Sequence, residues 1–162
     1  MNVLFEVLEE KHRRDVMDIF NHYIETSFAA YPEHVMPDSF FDKILEMTKG
    51  YPAFAIMARE ETAGFCFLRA HNPHSTFREC AEITYFLRER YAGIGIGRMA
   101  LEVLETEARR MGIRIILASI SSENAQSIAF HRKHGFTECG RFREAGIKKG
   151  KRFDVTWWQK NL

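Results

Sequence analysis

Three cysteines, four prolines and a net charge of only +1 in 162 residues set the first limits on this chain. Cys66, Cys80 and Cys139 are odd in number and widely spaced, which gives neither a disulfide framework nor a metal-ligand pattern, so no metal is expected. The balanced charge provides no bulk basic surface for nucleic acid or for a membrane. No apolar run is long enough to cross a bilayer. Residues 1–7, Met-Asn-Val-Leu-Phe-Glu-Val, lack the basic start and long apolar stretch of a signal peptide, so the expectation is a cytoplasmic protein. There is no repeat, low-complexity tract or linker. Gly-Lys-Ser and Gly-Lys-Thr are both missing, which excludes a Walker-type phosphate loop. What is present, 46% hydrophobic and 28% charged residues, describes one globular domain spanning residues 1–162.

The chain is organised around residues 82–111. Glu82-Ile83-Thr84-Tyr85-Phe86-Leu87 is β-branched and aromatic, the composition of a buried strand. Met99, Leu101, Val103, Leu104, Ala108 and Met111 then recur at helical spacing, and Gly112 follows as a stop. Between strand and helix lie Gly93, Gly95 and Gly97, alternating with Ile94 and Ile96 and flanked by Arg90 and Arg98. The first N–H groups of a helix lack partners and carry partial positive charge. Glycines let a polyanion approach that backbone, and arginines add paired donors. A pyrophosphate cradle is the feature expected; a Gly-rich turn that binds nothing is the alternative.

Elsewhere the patterning is regular. Residues 3–7 alternate as a first strand, and Val16, Ile19, Phe20 and Tyr23 mark a helix over 15–23. A second helix starts at Pro37 or Asp38 and stops at Gly50. Strands 53–59 and 64–69 form a hairpin about the turn Glu60-Glu61-Thr62-Ala63. A polar loop covers 71–78. Past the central stretch come a hydrophobic strand over 113–120 and a helix from about Asn124 to His134. Strands over 136–142 and 152–160 follow, with a basic turn at 148–151. The order βααβββαβαββ predicts a mixed α/β fold, a mixed sheet with helices on both faces.

These residues resemble a known family, the GCN5-related N-acetyltransferases (GNAT). Arg90-Tyr91-Ala92-Gly93-Ile94-Gly95 matches its glycine signature, and the run from Glu123-Asn124 through His131 to Gly135-Phe136 matches its downstream helix. Ile24-Glu25-Thr26-Ser27, Asp154-Val155 and Trp158-Gln159 are similar to the phosphinothricin and methionine-sulfone acetyltransferases in particular. The resemblance implies the GNAT fold, acetyl-CoA as cosubstrate, a small-molecule amine as acceptor, direct transfer in a ternary complex, and a homodimer. It implies that Phe86, Leu87, Arg90, Gly93, Ile94, Gly95, Ile96, Gly97, Arg98, Asn124 and Ser127 hold the cofactor. Helix capping is an equal reading for Asn124. It further implies that Tyr31 lines the acceptor pocket, and that His74 and Phe77 stand where the subfamily has an Arg and a Tyr. That departure makes phosphinothricin itself a doubtful acceptor.

Acyl transfer to an amine needs the amine neutral. A lysine-like amine costs roughly 4–5 kcal/mol to deprotonate at neutral pH and an α-amine of pKa about 8 only ~1.4 kcal/mol, while an alkyl thiolate is already a tolerable leaving group. A base therefore matters more than an acid. Glu82, opening an apolar strand, and His131, on the later helix, are the two candidates, with acid and base unassigned between them. A route through an acetylated Cys80 needs a depressed pKa and is set aside. Two alternatives to a small-molecule acetyltransferase stand beside it: an enzyme for protein N-termini or polyamines, and a CoA-binding sensor without turnover.

Overall fold

The computed structural model describes all residues 1–162. The strands are β1 (Val3–Val7), β2 (Ala53–Ala58), β3 (Glu61–Ala70), β4 (Cys80–Leu87), β5 (Ile115–Ser121), β6 (Thr137–Lys148) and β7 (Lys151–Asn161). The α-helices are α1 (Arg13–Thr26), α2 (Phe40–Met47), α3 (Ile96–Arg110) and α4 (Ala125–Lys133). This is the expected order, in one seven-stranded sheet arranged β1-β2-β3-β4-β5-β7-β6. No helix is long and apolar enough to cross a membrane.

Two apolar clusters sandwich the sheet. One joins α1 and α2 to Ala55, Phe65 and Phe67, with Phe86 packed against it. The other joins α3 to Ile56, Cys66, Leu68, Ala81, Ile83 and Ile116. The central strand β3 is buried along both faces, which is why its apolar residues run without alternation. On β4, by contrast, Ala81, Ile83, Tyr85 and Leu87 belong to the α3 side. Glu82, Thr84 and Phe86 therefore face the α1 side, since successive side chains alternate.

Two expectations are corrected. The β2–β3 turn is the two residues Arg59-Glu60, both with positive φ (51° and 63°), so β3 begins at Glu61 and not at Gly64. The penultimate strand runs on to Lys148, because β6 carries extra residues between Phe142 and Gly146 opposite β7. Asp154 secures that bulge: its carboxylate accepts from the Glu144 N–H at 2.7 Å and from Arg141 at 2.8 Å. These two donors hold its carboxyl pKa low.

Candidate active site

One irregularity in the sheet places the site. β4 and β5 are parallel neighbours but pair over only three residues, ending at Glu82 opposite Leu117. Beyond it β4 pairs with β3 alone and β5 with β7 alone, so a wedge opens between them. Glu82 stands at its apex. At the wide end lies the glycine turn, where Gly93 (φ 76°) and Gly95 (φ 96°) adopt conformations that favour glycine. Gly95 is the N-cap of α3. No backbone N–H from residue 93 to residue 98 donates to a protein carbonyl. Six consecutive free donors at the start of a 15-residue helix suit a diphosphate.

The flanking arginines are each paired with a glutamate. Arg90 is paired with Glu61 at 2.5 and 3.1 Å and lies over the Tyr91 ring. Arg98 is bound to Glu102 one turn along its own helix. Ile94 is exposed, whereas Ile96 is buried in the α3-side core. Gly97 faces the Phe130 ring of α4, where a Cβ would make an ordinary contact at 3.5 Å. The Phe86 side chain packs among Phe20, Tyr23 and Phe65. The Leu87 carbonyl accepts from the Tyr23 hydroxyl.

On the α4 side, Asn124 caps the helix, its Oδ1 accepting from the Ser127 N–H at 3.1 Å. One turn on, His131 is buried, 3% exposed. Its Nδ1 lies 2.7 Å from the Ser127 carbonyl, so Nδ1 carries the proton and Nε2 accepts from the Tyr85 hydroxyl at 2.5 Å. Burial pushes the imidazole pKa down to about 4. Tyr85 was not expected in the site. Its hydroxyl pKa is pushed well up, again by burial.

On the opposite face of β4, Glu82 is gripped by two neighbours: Arg69 Nη2 at 3.2 Å and His71 Nδ1 at 3.0 Å. The imidazole of His71 sits edge-on to Phe77 (6.2 Å) and to Trp157 (6.1 Å). Trp157 is the cross-strand neighbour of Ser119, whose hydroxyl is 2.9 Å from that of Tyr31. Tyr31 stacks on Phe153 at 5.9 Å, and Phe28 meets the same ring edge-on. The resulting surface carries a carboxylate, a guanidinium and an imidazole at one end and an aromatic wall at the other. Tyr31 and Phe77 belong to it. His74 is exposed in the loop, its N–H donating to Asn72, and it is not bonded to this cluster. Arg69, His71, Ser119 and Trp157 were missed, because cross-strand pairing brings them together and spacing along the chain does not.

A parallel strand pair forced apart beside a glycine-led helix start leaves an opening and free donors that suit a phosphorylated carrier. Comparison with known proteins gives the family. Residues 10–157 match the model of the acetyltransferase (GNAT) domain. The L-methionine sulfoximine/L-methionine sulfone acetyltransferase of Pseudomonas aeruginosa is 35% identical over 115 residues, 70% of this chain and 67% of that protein. The phosphinothricin N-acetyltransferase of Streptomyces viridochromogenes is 28% identical over 148 residues, 91% of this chain and 81% of that one. The crystal structure of a GNAT superfamily phosphinothricin acetyltransferase from Sinorhizobium meliloti, in complex with acetyl-CoA, shares the fold. Its TM-score is 0.93 at 24% identity, covering 100% of this chain and 89% of that one. The chain belongs to the GNAT family of N-acetyltransferases, whose acyl donor is acetyl-CoA.

Proposed function

We propose that this protein transfers the acetyl group of acetyl-CoA directly, in a ternary complex, to the amine of a small amino-acid-like molecule of the phosphinothricin or methionine-sulfone type. The observation that carries this reading is the position of Glu82 where β4 and β5 part, between a run of free backbone donors and an aromatic-walled surface. The amides of residues 93–98 would hold the diphosphate, and acetyl-CoA supplies the activated acyl group when bound. Asn124 and Ser127, at the start of α4, border the same opening.

The amine would enter beside Tyr31, Phe77 and Trp157, and its proton would leave toward the Glu82 cluster. A pocket with aromatic walls and a guanidinium, Arg69, beside the carboxylate suits a zwitterion better than a polyamine: the cation repels a second positive charge, and the rings cover an apolar side chain. His131, opposite, supports the wedge as a neutral, buried base.

The proposal extends to a single 162-residue catalytic unit working in the cytoplasm as a homodimer; exposed Phe142 and Ile147 on the edge strand β6 are suited to such a contact. Thiol release from acetyl-CoA measured across methionine sulfone, methionine sulfoximine, phosphinothricin, spermidine and short peptides tests the activity. Turnover is expected with the amino-acid-like amines, and release with spermidine or peptides alone would overturn it. Light scattering on the purified protein reads the assembly state.

A further inference from the structure

His71 lies just past the end of β3, and its Nδ1 is 3.0 Å from Glu82 Oε2. A carboxylate can only accept, so Nδ1 bears the proton and, in the neutral ring, the lone pair is on Nε2. Phe77 and Trp157, both edge-on, hold the ring from two sides. Glu82 in turn is fixed by Arg69 on its other oxygen. The side chain of His71 is 34% exposed and that of Glu82 only 14%, so the imidazole is the more accessible of the two to an entering amine. Both Glu82 oxygens already accept hydrogen bonds, whereas Nε2 of His71 has no partner in the protein.

Resting on the acetyl-transfer reading, we propose that His71 is the general base and that Glu82 is the positioning residue that fixes its tautomer and orientation. An acceptor amine that has shed its ammonium proton to solvent attacks the thioester carbon. As the N–C bond forms, Nε2 takes the second proton from nitrogen. The C–S bond breaks with its electron pair on sulfur, and the Nε2 proton passes to the thiolate, leaving amide, free thiol and neutral His71. A carboxylate oriented on the far nitrogen stabilises the imidazolium while it lasts, the same division of labour as in a carboxylate–histidine pair that serves a nucleophile. The charged and titratable groups bearing on the imidazole are Glu82 from β4, with Cys80 two residues before it, and Arg69 from β3. The ring neighbours from the 71–78 loop and from β7, Phe77 and Trp157, carry no charge.

The discriminating variant is His71→Asn, whose side-chain amide can still donate to Glu82 but has no base at the Nε2 position. Turnover is expected to fall by about 10²- to 10³-fold at pH 7 with the affinity for acetyl-CoA unchanged, and added imidazole should restore part of the rate in His71→Ala. Turnover of His71→Asn within threefold of the parent would overturn the proposal while leaving the acetyl-transfer reading intact. Absence of thiol release from the parent protein with every amine would remove that reading and the proposal together. A readout independent of activity is nitrogen-15 NMR of the ring in the free protein: the Nδ1-protonated tautomer is expected, and an Nε2-protonated ring would overturn the assignment.

Discussion

The Tyr85 hydroxyl donates to His131 Nε2 at 2.5 Å, with the two rings nearly parallel at 11°. This bond, together with the Nδ1–H donated to the Ser127 carbonyl, uses both nitrogens of a buried imidazole. His131 in this form has no Nε2 proton to give to a leaving group; the proton nearest that nitrogen is the tyrosine's. Tyr85→Phe strips the donor and leaves a buried acceptor unpaired, which costs about 1–3 kcal/mol. Urea unfolding at pH 7 should show a lower midpoint with an unchanged slope.

The same imidazole makes stability depend on pH. Its pKa in the folded protein is about 4, below the ordinary 6.5, so between these values the unfolded chain binds more protons than the folded one. Stability therefore rises with pH across that window. The contribution is complete above pH 6.5 and falls away as pH drops toward 4, a change of about 3 kcal/mol from this group. Unfolding free energies at pH 7.0, 5.5 and 4.5 should decline in that order, and His131→Gln should flatten the part of the decline due to this residue.

Backbone amides, and not the arginine beside them, should govern cofactor affinity. Gly95 has φ 96°, where a Cβ is strained by about 1–2 kcal/mol, and it lies within the run of free N–H groups. Gly95→Ala is expected to weaken acetyl-CoA binding about tenfold by calorimetry. Arg90→Ala, which breaks the pair with Glu61, should change it by less than threefold.

Phe153 owes its position to a missing side chain. A Cβ on Gly146 would lie 2.2 Å from the Phe153 ring, so the ring rests directly on the β6 backbone and from there stacks on Tyr31. Gly146→Ala should push the ring into the pocket, raising KM for the amine severalfold while leaving KM for acetyl-CoA unchanged. A parallel rise in both would argue against a local effect.

The loop carrying Tyr31 is tied down by a buried lysine. Lys148, 1% exposed at the end of β6, donates to the carbonyls of Ser27 and Ala30, each at 2.7 Å. Burial lowers its pKa. Lys148→Met deprives two carbonyls of their donor and should cost about 1–3 kcal/mol of stability, together with weaker amine binding. Thermal melts with and without the acceptor amine will separate the two effects, since a bound ligand adds stability by mass action only where its site survives.

Much of this architecture was legible along the chain. Apolar periodicity marks α1, α2 and α3, Asn124 and Gly135 bracket α4, and β-branched and aromatic runs mark β4 and β5. Those signals are local because a helix or strand face repeats within a few residues. The run of free amides was legible for the same reason: Gly93, Gly95 and Gly97 are neighbours in sequence, and unpaired N–H groups follow from where the helix starts. The β6 bulge was not, since nothing near Phe142 announces that Asp154 on the next strand will hold an extra loop of backbone.

The residue order alone therefore determined the family, the succession of elements and the placing of a helix N-terminus after a buried strand. Tertiary structure decided which side chains meet. Glu82 and Tyr85 are three residues apart yet face opposite sides of β4, because strand side chains alternate. One joins Arg69 and His71, and the other joins His131. That division comes from strand pairing and helix packing across long stretches of chain, where burial and hydrogen-bond partners are set by neighbours in space.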